Sequence, residues 1–218
     1  MGDVKHALPA LQDRSVRTRD RLLDAAEALL SAGGPEAATV PAIAARGRVA
    51  VGSVYRRFPD KDAVLRAVYE RFFERSRAVN REMLSGGRWA GMPLPELVAA
   101  LVRGMVRGYV QHRAMLAALL RYADTHPDER FRRHAEALRE ETFRLVATLL
   151  LARRGDIAHP DPERAIEFSL LTIGLVLKGL MLGGDWPRSR ITPERVTREL
   201  TRMTLAYLGA THGARHFL

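Results

Sequence analysis

One signal constrains this chain more than any other. Apolar residues recur at helical spacing almost throughout, and strand patterning is nearly absent. Leu22, Ala25, Ala26, Leu29 and Leu30 follow the i, i+3, i+4, i+7, i+8 spacing of one buried helix face. Gly33 and Gly34 then stop that helix. No sustained period-two alternation and no Asn-Gly or Asp-Gly hairpin signal occurs. Later helices mark their own starts. Asp60 precedes Lys61-Asp62-Ala63 as an N-cap. Asp161-Pro162-Glu163 and Thr192-Pro193-Glu194 each combine a cap, a proline and a first-turn acid. Ser85 to Pro95 reads as a linker, with further breaks at Thr125-His126-Pro127 and Arg154-Gly155-Asp156. The expectation is an all-α chain of about nine helices: three short ones over roughly 18–58, a longer one over 61–84, and long helices beyond.

Composition narrows the function. The 218 residues contain no cysteine, which removes disulfides, thiolate metal ligands and cysteine nucleophiles. That fits a cytoplasmic location. The first residues lack the long apolar run of a secretory signal. The longest apolar run, Phe168 to Leu182, is shorter than the ~18 residues of a membrane span and contains Lys178. Net charge is +10, which favours a polyanionic partner. Residues 1–61 hold ten Lys/Arg against seven Asp/Glu, a net of +3, so the excess is spread along the chain.

The first sixty residues carry the most specific pattern. Thr39 caps a short second helix with Val40, Ile43 and Ala44 inward, and Pro41 sits harmlessly in its first turn. A tight connection, Arg46-Gly47-Arg48-Val49, leads to a third helix over Val51 to Phe58. There Val54 and Phe58 share one face and anchor the helix inward. Gly52, Ser53, Arg56 and Arg57 fall outside that seam, with Tyr55 between. Two helices joined by a short turn, the second small at its start and basic beyond, match the helix-turn-helix plan. Its recognition helix enters the DNA major groove.

Residues 18–72 resemble the DNA-binding region of the tetracycline repressor (TetR) family of bacterial transcriptional regulators. The likeness runs through Leu-Leu-Asp-Ala-Ala at 22–26, Thr39, Ile43-Ala44, Val49, Gly52-Ser53-Val54-Tyr55, Phe58 and Lys61-Asp62-Ala63-Val64-Leu65. Three positions depart from the family pattern. Arg48 stands where a glycine is usual, Ala50 where a Ser or Thr cap is usual, and Pro35 where an aromatic is frequent. The resemblance implies a DNA-binding head over 1–60, including the N-terminal arm, and a helical ligand-binding and dimerisation body over 61–218. It implies base contacts from Val51, Gly52, Ser53 and Arg56, and phosphate contacts from Thr39, Tyr55, Arg57 and Lys61.

In the body no HExxH, G-x-S-x-G or phosphate-cradling glycine loop occurs, and the seven histidines are scattered. No catalytic or metal site is expected, and no cofactor. Glu136, Glu140 and Glu141 with Arg133, Arg139 and Arg144 read as a solvated face paired along one helix. Leu101, Met105, Tyr109, His112 and Leu116 form a stripe at helical spacing. By resemblance such a stripe lines an effector cavity; plain core packing is the other reading. Met105, Tyr109 and His112 are the foremost ligand candidates, with Tyr122, Phe143 and Phe168 behind them. The apolar helix over 168–182, and Val196, Leu200, Met203 and Tyr207 on the last helix, need cover from outside. The family arrangement supplies it as a homodimer through about 161–184 and 193–210, with Gly174, Gly179 and Gly183 permitting close approach. The implied function is a repressor of a near-palindromic operator, released by an unknown small molecule, with no membrane partner. A regulator without a small-molecule ligand, controlled by a protein partner or acting as an activator, and an all-α small-molecule carrier or enzyme stay open.

Overall fold

The structure is a computed structural model that describes residues 7–85, 87–125, 129–182 and 191–210. Nine α-helices and two short 3₁₀ turns make up these residues, and no strand occurs among them. The helices are α1 (Ala7–Ala37), α2 (Val40–Arg46), α3 (Val51–Tyr55), α4 (Lys61–Ser85), α5 (Leu94–Gln111), α6 (Arg113–Thr125), α7 (Glu129–Leu151), α8 (Pro162–Leu182) and α9 (Pro193–Tyr207). The expected break at His126-Pro127, and Gly183, lie outside the described residues. No helix among them is long and apolar enough to cross a membrane.

The chain divides into two compact units, and the division differs from a cut at residue 60. The head contains residues up to Phe72 together with Ala117–Phe131; the body contains 73–116 and the chain from Arg132. Aromatic packing explains the larger head. Tyr69 of α4 lies 5.1 Å from Tyr122 of α6 and 5.6 Å from Phe131 of α7, ring centre to ring centre. Tyr122 and Phe131 are 5.3 Å apart. All three rings are buried, so parts of α4, α6 and α7 complete the head's core.

Within the head, Leu22, Ala26 and Leu30 of α1, Ile43 and Ala44 of α2, Val54 of α3 and Val64 and Val68 of α4 are all buried. Helix α1 covers Ala7–Ala37, reaching well before Thr18. It breaks where the glycine pair predicts. Gly34 has φ 73° and ψ −170°, and one further turn runs on to Ala37. Arg71 of α4 ties back to α1 through Asp24 at 2.8 Å and Glu27 at 2.6 Å, with its side chain only 14% exposed.

In the body, α5, α8 and α9 pack around Leu97, Leu101, Ile166, Ile173, Leu177, Val196 and Leu200. The caps read from sequence are present. Thr192 accepts from the Arg195 amide at 3.2 Å, and Asp161 from the Arg164 amide at 3.1 Å. The charged face of α7 differs from expectation at Glu141. This carboxylate reaches across to α4, bonding Arg81 and lying 3.6 Å from Arg77. The Arg81 hydrogen bond, reinforced by charge attraction from both arginines, holds its pKa below the usual carboxylate range. The stripe from Leu101 to Leu116 also does not lie on one helix. His112 takes φ −103° and ψ 16°, closing α5, and its carbonyl accepts from Leu116 within α6.

Candidate nucleic-acid interface

The turn between α2 and α3 is built by two residues with different jobs. Gly47 is there for space. A Cβ at this position would crowd the Ile43 carbonyl at 3.1 Å and Leu22 Cδ2 at 3.3 Å, so a larger residue fits only if these neighbours give by a few tenths of an ångström. Its φ of −75° is ordinary. Arg48 takes the left-handed conformation instead, with φ 53°. The Arg48 amide donates to Ala45 O at 3.1 Å and the Val49 amide to Ala44 O at 3.0 Å. This is the Schellman pair, and Arg48 occupies the position where glycine is favoured. Arg48 is therefore a non-glycine residue at the left-handed position of a regular Schellman turn. Val49 is half-buried behind it.

Helix α3 begins at Val51. Ala50 provides extended backbone at the N-cap and no side-chain bond, as its methyl group requires. The helix ends at Tyr55, earlier than the expected Phe58, and the residues up to Phe58 form a closing turn. Pro59 follows, which disfavours helical backbone at Phe58. Both anchors hold regardless: Val54 and Phe58 are buried. Their burial turns the other side outward. Val51, Gly52, Tyr55 and Arg56 are all exposed, Tyr55 at 54%. A Cβ on Gly52 would meet nothing within 4 Å, so another molecule can approach the backbone there.

The basic residues are held in place by Ser53. Arg56 Nη2 donates to Ser53 Oγ at 2.9 Å, and Arg57 Nη1 donates to Ser53 O at 3.1 Å. Beside them is a concavity of about 550 Å³. Ser15, Thr18 and Arg21 of α1 line it together with Val49, Ala50, Ser53, Arg56 and Arg57. Three arginines and no acid face it, which suits a phosphate. Sequence reasoning missed the α1 contribution. The only hint was Thr18 and Arg21, three apart on the polar side of a helix whose apolar side starts at Leu22. Arg21 Nη2 lies 3.5 Å from Thr18 Oγ1. At the margins, Thr39 caps α2 by accepting from the Ala42 amide at 3.3 Å. Lys61 opens α4, which Asp60 caps through the Ala63 amide at 2.7 Å.

The six ligand candidates scatter. Met105, Tyr109 and Phe143 are half-buried against the body's apolar core, and burial raises the Tyr109 pKa. Gly174 faces Phe143, whose Cζ would lie 3.7 Å from an added Cβ. His112 is exposed at the end of α5. Tyr122 belongs to the aromatic trio of the head. Phe168 is 55% exposed, with its ring 5.6 Å from that of Tyr207, so it stands on an outer face. Among the described residues no cluster of three His, Asp or Glu is placed to hold a metal ion.

Two family models match the chain. The family model for bacterial regulatory proteins of the tetR family matches residues 22–68, and that for the tetracyclin repressor-like C-terminal domain matches 93–208. The HTH-type transcriptional repressor KstR of Mycolicibacterium smegmatis is 41% identical over 107 residues, 49% of this chain and 52% of that protein. KstR of Rhodococcus jostii is 39% identical over 108 residues, 49% of each. The chain thus spans about half the length of the curated relatives it matches. Among solved structures, a TetR-family regulator of Mesorhizobium loti superposes with a TM-score of 0.72 at 18% identity, covering 90% of this chain and 97% of that one. FadR of Bacillus subtilis, in complex with stearoyl-CoA, gives 0.61 at 13% identity, covering 88% and 98%. These two likenesses are of fold alone. With the C-terminal model alone covering more than half of its residues, the chain belongs to the tetracycline repressor (TetR) family of bacterial regulatory proteins.

Proposed function

We propose that this protein is a transcriptional repressor that binds a near-palindromic DNA operator as a homodimer and leaves it when a small molecule binds the body. One observation carries the DNA half of this reading. Burial of Val54 and Phe58 turns Val51, Gly52, Tyr55 and Arg56 outward as one face, next to a concavity holding three arginines. In this scheme Val51, Gly52, Ser53 and Arg56 meet base edges, and Thr39, Tyr55, Arg57 and Lys61 meet phosphates, joined by Thr18 and Arg21 of α1. The Ser53 hydroxyl would first orient the Arg56 guanidinium, then share it with a guanine edge. A DNA ligand places the protein in the cytoplasm, and its role is regulatory rather than enzymatic.

The homodimer rests on an apolar strip. Phe168, Leu171, Leu175 and Val176 of α8 and Met203 and Tyr207 of α9 are exposed, Leu175 at 60%. Phe168, Leu171 and Leu175 are spaced for one helix side, and Gly179 adds no bulk there. A second copy covering this strip would supply the second recognition helix that a near-palindromic operator, with half-sites about one helical turn apart, requires. Leu175→Glu would bury a charge at the centre of that contact and is expected to yield monomers on gel filtration at micromolar concentration. A monomeric wild type would overturn the arrangement.

The effector would enter beside Met105, Tyr109 and Phe143. The stearoyl-CoA complex of the Bacillus subtilis relative supports an effector with a long apolar part. Its action needs only a higher affinity for the dimer whose heads misfit the operator, transmitted along α4. Selection from random duplexes, then gel shift on the selected sequence with and without candidate compounds, tests the whole scheme. Equal retention of selected and random DNA would refute it.

A further inference from the structure

A groove between α5 and α9, on the body, has no role in the scheme above. Its volume is about 700 Å³, within the range of small-molecule sites. Val106 and Val110 of α5 and Leu205 of α9 give it apolar walls. Arg103 and Arg107 rim it from α5, and Arg198 and Arg202 from α9. Each pair is four residues apart, so each places two like charges one above the other on its helix, an arrangement that repels. Glu199 relieves the α9 pair at 3.6 and 3.7 Å. No carboxylate among the described residues relieves Arg103 or Arg107. The acid that lines the groove is committed elsewhere. Glu194 is bonded to its own backbone amide and to the Thr192 hydroxyl, which hold its pKa down. Thr201 also lines the groove, with its hydroxyl buried from solvent.

We infer that this groove binds a small amphipathic anion, with a carboxylate, sulfonate or phosphate head between the α5 and α9 arginines and an apolar body on Val106, Val110 and Leu205. The site is separate from the two surfaces already described. Successive residues turn by about 100°, so Met105 and Tyr109 leave α5 on a different side from Val106 and Val110. On α9, Met203 and Tyr207 point away from Thr201 and Leu205 by about half a turn. An anion here would relieve the Arg103–Arg107 repulsion. The inference does not depend on DNA binding.

Two dyes separate charge from apolar contact: 8-anilinonaphthalene-1-sulfonate, an amphipathic anion, and N-phenyl-1-naphthylamine, its neutral counterpart. Both are titrated into the full chain by fluorescence. R103Q/R107Q should weaken the sulfonate by about tenfold and leave the neutral dye within about twofold. If that double variant fails to fold by circular dichroism, R107Q alone should weaken the sulfonate by about threefold. Ala206→Trp, an exposed lining position, should fill the groove and abolish high-affinity binding of both dyes. Sulfonate binding unchanged in the arginine variants, or both dyes weakened equally by them, overturns the assignment. So does dye binding that survives Ala206→Trp, which would locate the dye elsewhere, such as the α8–α9 strip.

Discussion

Arg48→Gly should stabilise the head, and the size of the effect follows from one torsion angle. Arg48 is held at φ 53° by the Schellman pair of hydrogen bonds that ends α2. A non-glycine residue in this region pays roughly 1–2 kcal/mol in contact between its Cβ and the carbonyl. Glycine removes that strain but adds backbone freedom to the unfolded chain, worth about 0.4–1 kcal/mol. The net gain therefore lies between about 0 and 1.6 kcal/mol, centred on ~0.8 kcal/mol, or roughly 2–3 °C in melting temperature for a chain of this length. The protein contains its own comparison. Gly209 closes α9 with φ 70° and the same two bonds, Gly209 N to Ala206 O at 3.1 Å and Ala210 N to Leu205 O at 2.9 Å. There a Cβ would also strike Ala158 at 2.9 Å, so glycine is required twice over; Arg48 is exposed, and only the torsion is at stake.

Thermal melts of four proteins decide the matter. Arg48→Gln removes the charge and keeps the Cβ, and should stay within ~0.5 kcal/mol of wild type. Arg48→Asn should fall between Gln and Gly, because asparagine tolerates the left-handed region. If glutamine raises the melting point as much as glycine, relief of charge among Arg46 and Arg48 is the cause and the torsional argument fails. If glycine raises nothing, the turn is not strained at Arg48.

Other consequences are more direct. Arg57→Ala should weaken binding to all DNA and reduce the salt slope by about one unit, whereas Arg56→Ala should cost roughly 1–3 kcal/mol at one base pair of the selected operator; equal losses on selected and random DNA would remove Arg56 from base readout. Tyr69→Phe deletes a buried hydroxyl with no hydrogen-bond partner among the described residues, whose pKa burial pushes well above the ordinary tyrosine value, and should raise stability by about 1 kcal/mol in urea unfolding. Glu141 has a lowered folded pKa, so the stability it contributes is fully present above its unfolded value near 4.5 and is lost as pH falls through the folded one. Arg81→Gln should therefore shrink the stability difference between pH 6 and pH 3, read by urea midpoints at each pH.

What was legible in the sequence was whatever a few neighbouring residues decide. Thr39, Asp60, Asp161 and Thr192 cap helices because a short polar side chain reaches an amide three residues on, and no distant partner is needed. Val54 and Phe58 are buried because they share a face on one short segment. What failed needed a partner from far along the chain. Glu141 looks like one member of a surface ladder on α7 until α4 brings Arg77 and Arg81 beside it. Tyr122 and Phe168 looked like companions of Tyr109 by residue type alone; one went to the head's aromatic trio and the other to an outer strip. The candidate DNA surface divides the same way. Its outward residues on α3 could be read directly, but Ser15, Thr18 and Arg21 join it from α1, a helix distant in sequence. Gly47 packs closely against α1 at that junction. The residue beside it, Arg48, stands where a glycine is usual and takes the left-handed torsion itself.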